Sequence, residues 1–133
     1  MVFFTHTLSL FSLLLMVFAS AARGQDAVSI TEIMALNNGM LQDEEGDYED
    51  WIEIHNAGAA GVNLSGWSLT DRETDPLKWV FPDITLEAGE YLVIFASEKD
   101  RKADKYKLHT NFKMSGSGEY LALMKPGGTV PAT

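Results

Sequence analysis

Residues 91–96 read YLVIFA, and this stretch decides the fold class. It is apolar at nearly every position, which is typical of a central β-strand that is covered on both faces. Residues 51–55 (WIEIH) alternate in polarity, and residues 119–124 (EYLALM) are again largely apolar. Beyond Gln25, no stretch of about 11 or more residues has apolar residues at helical spacing. The sequence therefore predicts an all-β fold.

Other short segments predict further strands at residues 28–34, 67–70 and 78–81. In the first of these, the alternation slips at Glu32 and Ile33, which indicates a bulge. Six or more strands, separated by turns rich in Gly, Asn and Pro, predict one antiparallel β-sandwich with hairpin and Greek-key connections. The pattern leaves room for a single helical turn, around residues 97–102.

The strand at residues 51–55 indicates which side chains face the core. Period-two alternation places Ile52 and Ile54 inward, and Trp51, Glu53 and His55 on the opposite face. Most aromatic side chains at strand spacing belong to a core. Tyr48 and Trp51 are the exceptions that we predict to be exposed, and they are candidates for partner binding.

The N-terminal segment differs from the rest of the chain. Residues 8–18 form an apolar run of the length of a signal-peptide core, and small residues follow at once in Ala19, Ser20 and Ala21. We therefore expect residues 1–24 to be a signal peptide and residues 26–133 to be the domain. No Lys or Arg precedes the apolar run, so an uncleaved anchor stays open as the alternative. Either way, we expect a secreted, cell-surface or periplasmic protein.

Composition excludes several classes of function. The chain has no cysteine, which rules out disulfides, thiol catalysis and zinc sites built on Cys. Without residues 1–24 it carries 9 basic and 19 acidic side chains, which opposes nucleic-acid binding. A basic run lies between Lys99 and Lys113, but Asp100 and Asp104 interrupt it, and we interpret it as a solvated loop.

The order of these segments resembles the lamin tail domain, in the form found in exported bacterial proteins. The resemblance covers about residues 28–128, and it is carried by ITEIMA, GDYEDWIEIHN, VNLSGWSLTD, KWVFP, LEAGEYLVIFAS and HTNFKMSGSGEYLAL. It implies an immunoglobulin-like sandwich. It also implies a further strand after residues 126–128, where only five residues remain and Pro131 disfavours a strand. We expect that last strand to be short or absent, so that the domain is truncated there, with an edge for a longer chain or a partner to cover.

The most acidic segment is residues 43–50, DEEGDYED. Carboxylates around a Gly bend suit Ca²⁺, which takes six to eight oxygen ligands, although the spacing is not that of an EF-hand. The candidate ligands are Asp43, Glu45, Asp47, Glu49 and Asp50. The alternative is a solvated acidic loop.

No motif indicates an enzyme. The sequence lacks HExxH, GxSxG, a Walker loop and a dinucleotide fingerprint, and Glu32 and Glu53 are expected to face solvent or a neighbouring strand. We therefore expect a non-catalytic exported module for adhesion, scaffolding or targeting, in a larger protein, with a protein or glycan partner at the cell surface. The alternative is an accessory domain of a secreted hydrolase whose catalytic domain lies outside this chain. Contact with DNA, by analogy with nuclear lamins, is a third hypothesis.

Overall fold

The computed structural model describes residues 27–118, 120–128 and 131–132, and the predicted signal peptide lies outside them. The described residues contain strands and no helix. The strands are β1 (Val28–Met34), β2 (Asp50–Asn56), β3 (Val62–Asn63), β4 (Ser68–Thr70), β5 (Trp79–Val80), β6 (Thr85–Leu86), β7 (Tyr91–Ala96), β8 (Leu108–His109) and β9 (Ala122–Met124). The all-β prediction is confirmed. Within the described part, no helix is long and apolar enough to cross a membrane.

The strands form three sheets. A four-stranded sheet has the order β1-β2-β7-β8, a three-stranded sheet has the order β5-β4-β9, and β3 pairs with β6. The pairs are antiparallel, as predicted for the sandwich, with the single exception of β7 and β8, which are parallel. The loop from residue 97 to residue 107 carries the chain back to the start of β8, which gives the two strands the same direction.

The long strands follow the sequence pattern closely. β1 and β2 pair with a register shift between Ile30 and Glu32, which confirms the predicted bulge within one residue. Glu53 accepts a hydrogen bond from Thr31 Oγ1 at 2.7 Å across the same strand pair, as expected for an outward carboxylate.

One core lies between the four-stranded sheet and the smaller sheets. Ile52, Ile54 and Ile94 contribute from the large sheet, and Leu69 and Trp79 from the opposite layer, all with no exposed surface. Burying such side chains stabilises the domain by about 1.5–3 kcal/mol each. The predicted inward direction of Ile52 and Ile54 is confirmed.

The predicted helical turn at residues 97–102 is absent. Glu98 and Asp100 have φ values of 65° and 48°, a left-handed conformation that interrupts a right-handed helix. The segment instead runs beside residues 109–113, with isolated bridges from Ser97 to Lys113 and from Arg101 to His109. This segment, residues 97–102, places its basic side chains beside the four-stranded sheet.

Residues 131 and 132, which the structure describes after β9, contact this strand. Pro131 forms an isolated antiparallel bridge with Met124, and the Ala132 amide donates to the Leu123 carbonyl at 2.8 Å.

Candidate binding face of the four-stranded sheet

The outer face of the four-stranded sheet, which points away from the core, carries a row of large side chains. Trp51, Phe95 and His109 are neighbours across β2, β7 and β8. They lie on the outer face because their sequence neighbours Ile52, Ile94 and Leu108 point into the core. Nevertheless Trp51 is only 8% exposed and His109 0%. A loop must therefore cover this part of the sheet.

The acidic segment provides part of the cover, and it is held in a closed turn by its own hydrogen bonds. Asp43 Oδ1 accepts from the amides of Glu45 at 2.9 Å and Asp47 at 3.0 Å. The Asp43 amide donates to the Asp47 carbonyl at 2.9 Å. Gly46 sits at the bend with φ of 85°, which favours glycine. The predicted loop is therefore a compact turn, and Asp43 is buried instead of solvated.

Asn37 ties the two ends of this loop together. Its side-chain amide donates to the carbonyls of Leu41 and Glu49, at 2.6 and 2.9 Å. Its backbone amide donates to Asp50 Oδ1 at 3.0 Å. The loop is thus anchored at β2, where Asp50 begins the strand.

The basic segment at residues 97–102 holds the acidic turn in place through ion pairs. Lys99 Nζ donates to Oδ2 of Asp43, and lies 2.8 Å from Oε2 of Glu45 and 2.9 Å from Oδ2 of Asp47. Arg101 donates to Glu44 and Glu45, at 2.6 Å each. The interpretation of the basic run as a solvated loop is therefore wrong for these two residues. They neutralise much of the acidic segment, and their hydrogen bonds make the contact directional.

The ion pairs change the pKa values of the groups that form them. Burial opposes the charge of Glu44, but hydrogen bonds from His109 and Arg101 outweigh it and lower the pKa of Glu44 to about 2. Burial likewise opposes the charge of Asp43, yet its bonds to Lys99 and to backbone amides lower its pKa. Burial would lower the pKa of Lys99, but three carboxylates raise it. Glu44, Asp43 and Lys99 therefore stay charged throughout the physiological pH range.

A hydrogen-bonded Ser-His-Glu chain, in which Ser97 and His109 are buried and Glu44 is exposed, lies at the edge of this cluster. Ser97 Oγ is 2.8 Å from His109 Nδ1, and His109 Nε2 is 2.9 Å from Glu44 Oε2. Catalytic triads use such a series, but their serine must reach a substrate. Ser97 is only 5% exposed, and its hydroxyl accepts from the Lys99 amide at 3.2 Å. The chain is a structural link between β8 and the acidic turn.

Beside the clamped turn lies an open groove of about 490 Å³, here called the β7 groove. Its floor is the outer face of β7 at Tyr91, Val93 and Phe95; residues 41–44 form one wall, and Tyr106 and Lys107 the other. Tyr91 is 57% exposed, and its ring stacks on His55 with centroids 3.9 Å apart. The groove therefore combines an apolar floor with accessible aromatic rings, as binding sites commonly do.

The predicted calcium ligands are partly brought together. Carboxylate oxygens of Asp43, Glu45 and Asp47 lie within 4.8 Å of one another, as a cation site requires, and Glu49 and Asp50 do not join this group. Lys99 already places an ammonium among the three oxygens. Calcium binding stays a prediction, in which Ca²⁺ competes with this ammonium.

The two aromatic residues that we predicted to be exposed differ in their burial. Tyr48 is 49% exposed, whereas Trp51 is buried, so the expectation of an exposed Trp51 is wrong. Its indole Nε1 has no hydrogen-bond partner among the described residues. The alternation of β2 predicted the outward direction of His55, but not its stacking on Tyr91, because that contact depends on how β2 and β7 pair.

A comparison with known protein families identifies the family to which this architecture belongs. The family model of the lamin tail domain matches residues 21–133. The chain belongs to this family. The resemblance noted in the sequence is thereby confirmed, and with it the immunoglobulin-like β-sandwich. A search of curated proteins finds no match. No catalytic family is detected in this lamin tail domain.

Proposed function

We propose that this lamin tail domain is a non-catalytic binding module that holds a protein or glycan partner in the β7 groove. One observation carries the proposal: an open groove of about 490 Å³ lies on a sheet face that the core does not use. Its floor is a central strand, and its acidic wall is clamped by ion pairs, so little ordering is needed when a partner binds. Such preorganisation lowers the cost of association.

The proposed setting is outside the cytoplasmic membrane, with the domain acting in adhesion, scaffolding or targeting within a larger surface or secreted protein. The signal-like segment at residues 8–18 supports export. The acidic net charge supports a partner other than nucleic acid.

Binding surveys with matched variants test the proposal. The purified protein is screened against glycan arrays, cell-wall material and surface proteins. Tyr91→Ala removes an exposed ring in the groove, and Tyr120→Ala removes an exposed ring elsewhere. We expect Tyr91→Ala to weaken binding of the recovered ligand by about tenfold or more, and Tyr120→Ala to leave it unchanged. Equal effects of the two variants would refute the groove as the site. Retention on DNA at low salt, lost with added salt, would favour the nucleic-acid hypothesis instead.

A further inference from the structure

The β8 side of β7 is only half paired. β8 contains two residues and pairs with Ile94 and Phe95. Among the described residues, no strand pairs with this side of β7 at residues 91–93. By contrast, the other side of β7 pairs with β2 along its whole length, from Tyr91 to Ala96. A short open strand edge therefore lies at the floor of the β7 groove.

The direction of the backbone groups follows from the bonds at both ends of the strand. The Asn56 amide donates to the Glu90 carbonyl at 3.0 Å, so even-numbered residues of β7 direct their polar groups toward β2. The Thr110 amide donates to the Phe95 carbonyl at 2.8 Å, so odd-numbered residues point toward β8. The amides of Tyr91 and Val93 consequently point into the half-paired side.

A turn keeps the protein's own chain from extending β8 along this edge. The Lys107 amide donates to the Asp104 carbonyl at 3.0 Å, and the Tyr106 amide donates to Asp104 Oδ1 at 2.9 Å. Neither amide is free to pair with β7. The turn is held at the start of β7, because Lys105 and Tyr106 both donate to the Glu90 carboxylate. The open edge is thus part of the fold.

The charges that line the groove are all paired within the protein. Asp43 is bonded to Lys99, Glu44 to Arg101 and His109, and Lys107 lies 3.4 Å from Asp104. An uncharged ligand therefore fits the groove better than a charged one. A polypeptide in extended conformation matches both features, because its main chain supplies acceptors for the amides and its side chains contact the apolar floor.

We propose that the β7 groove binds an extended, uncharged peptide segment of a partner protein, which adds a strand to the open edge at residues 91–93. This proposal rests on the proposed function and specifies its ligand. Main-chain hydrogen bonds supply affinity, and an apolar side chain at every second position of the peptide contacts Tyr91, Val93 and Phe95.

Selected peptides test the mode of binding. Random peptides of about twelve residues are displayed on phage, selected on the purified protein and counter-selected on Val93→Glu. Tyr91→Ala serves as a second variant, since Tyr91 is exposed and its truncation spares the core, and Tyr120→Ala is the control. The best peptide is then synthesised as a series in which each member carries one backbone N-methyl group.

We expect N-methylation at alternate positions to weaken binding by about tenfold and at the intervening positions to have little effect, because only every second peptide amide points at β7. Bound peptide should also slow hydrogen exchange of the Val93 amide. Failure to recover peptides that depend on Tyr91 and Val93, or an N-methyl series without alternation, would overturn strand addition. If glycans or folded proteins still bind through Tyr91, the proposed function survives without this inference; if no ligand depends on Tyr91, both fail.

Discussion

His109 Nε2 lies 2.9 Å from Glu44 Oε2, although the two residues are 65 positions apart in the sequence. This contact joins a strand of the four-stranded sheet to the acidic turn that covers the sheet. It also places a carboxylate against a fully buried ring. The stability of the covered face therefore depends on the charge of Glu44.

Acid should weaken this contact. The pKa of Glu44 is lowered from 4.5 to about 2, so its ionised form stabilises the fold at pH values above about 4.5, and that contribution is lost as pH falls toward 2. We expect Glu44→Gln to be less stable than wild type at pH 7 and to approach wild type near pH 2. Urea midpoints from pH 2 to pH 7, followed by tryptophan fluorescence, measure this. Glu73→Gln, at an exposed site, should keep the wild-type pH dependence; an identical curve for Glu44→Gln would contradict the assignment.

Lys99 should contribute more to stability than an ordinary surface lysine. Lys99→Met leaves the buried carboxylate of Asp43 without its cation, and we expect a loss of about 2–3 kcal/mol. Lys113→Met breaks an exposed pair 3.9 Å long and should cost less than about 0.5 kcal/mol. Denaturant unfolding of both variants measures the difference. Equal losses would show that the Lys99 contacts carry no special stability.

Calcium and Lys99 should compete for the same carboxylates. We expect the melting temperature of the wild type to be equal in EDTA and in millimolar Ca²⁺, because an ammonium already lies among the three oxygens. In Lys99→Met the site is free, and Ca²⁺ should raise the melting temperature by a few degrees, about 1 kcal/mol. Stabilisation of the wild type by Ca²⁺ would instead show that the ion displaces Lys99 and binds at the site predicted from the acidic segment.

The buried indoles of Trp51 and Trp79 should respond differently to the same substitution. Trp79 Nε1 donates to Asp100 Oδ1 at 3.1 Å, whereas Trp51 Nε1 has no partner among the described residues. Trp51→Phe removes a buried donor that costs about 1–3 kcal/mol, which offsets much of the lost packing, so the net change should stay within about 1 kcal/mol. Trp79→Phe loses packing and the bond together, and we expect about 2–4 kcal/mol. Chemical denaturation checks the order; a larger loss at Trp51 would contradict it.

Amide exchange should alternate along β7 in the free protein. Leu92 and Ile94 donate toward β2 and should exchange slowly, while Val93 points toward the half-paired side and should exchange at least about tenfold faster. Hydrogen exchange followed by NMR gives each rate. Equal protection of Val93 and Leu92 would mean that this edge is covered, and the proposed strand addition would lose its basis.

The sequence by itself determined the strands that have a clear pattern of polar and apolar residues within the strand. Alternation in β2 fixed the inward direction of Ile52 and Ile54, and the slip at Glu32 marked the bulge in β1, because side-chain direction in a strand follows from position alone. The apolar stretch of β7 likewise identified the central strand. The sequence segments that resemble the lamin tail domain identified the family without knowledge of any tertiary contact.

Only the tertiary structure decided what covers the outer face. The pattern placed Trp51 opposite the core, but its burial depends on a loop that is anchored by residues more than 50 positions away. The same contacts join a basic run and an acidic run into one cluster of ion pairs, although each run by itself is typical of a solvated loop. Local sequence specifies which face of a strand is apolar. It does not specify which distant loops meet above the other face, because charge pairing and burial arise only when the chain has folded.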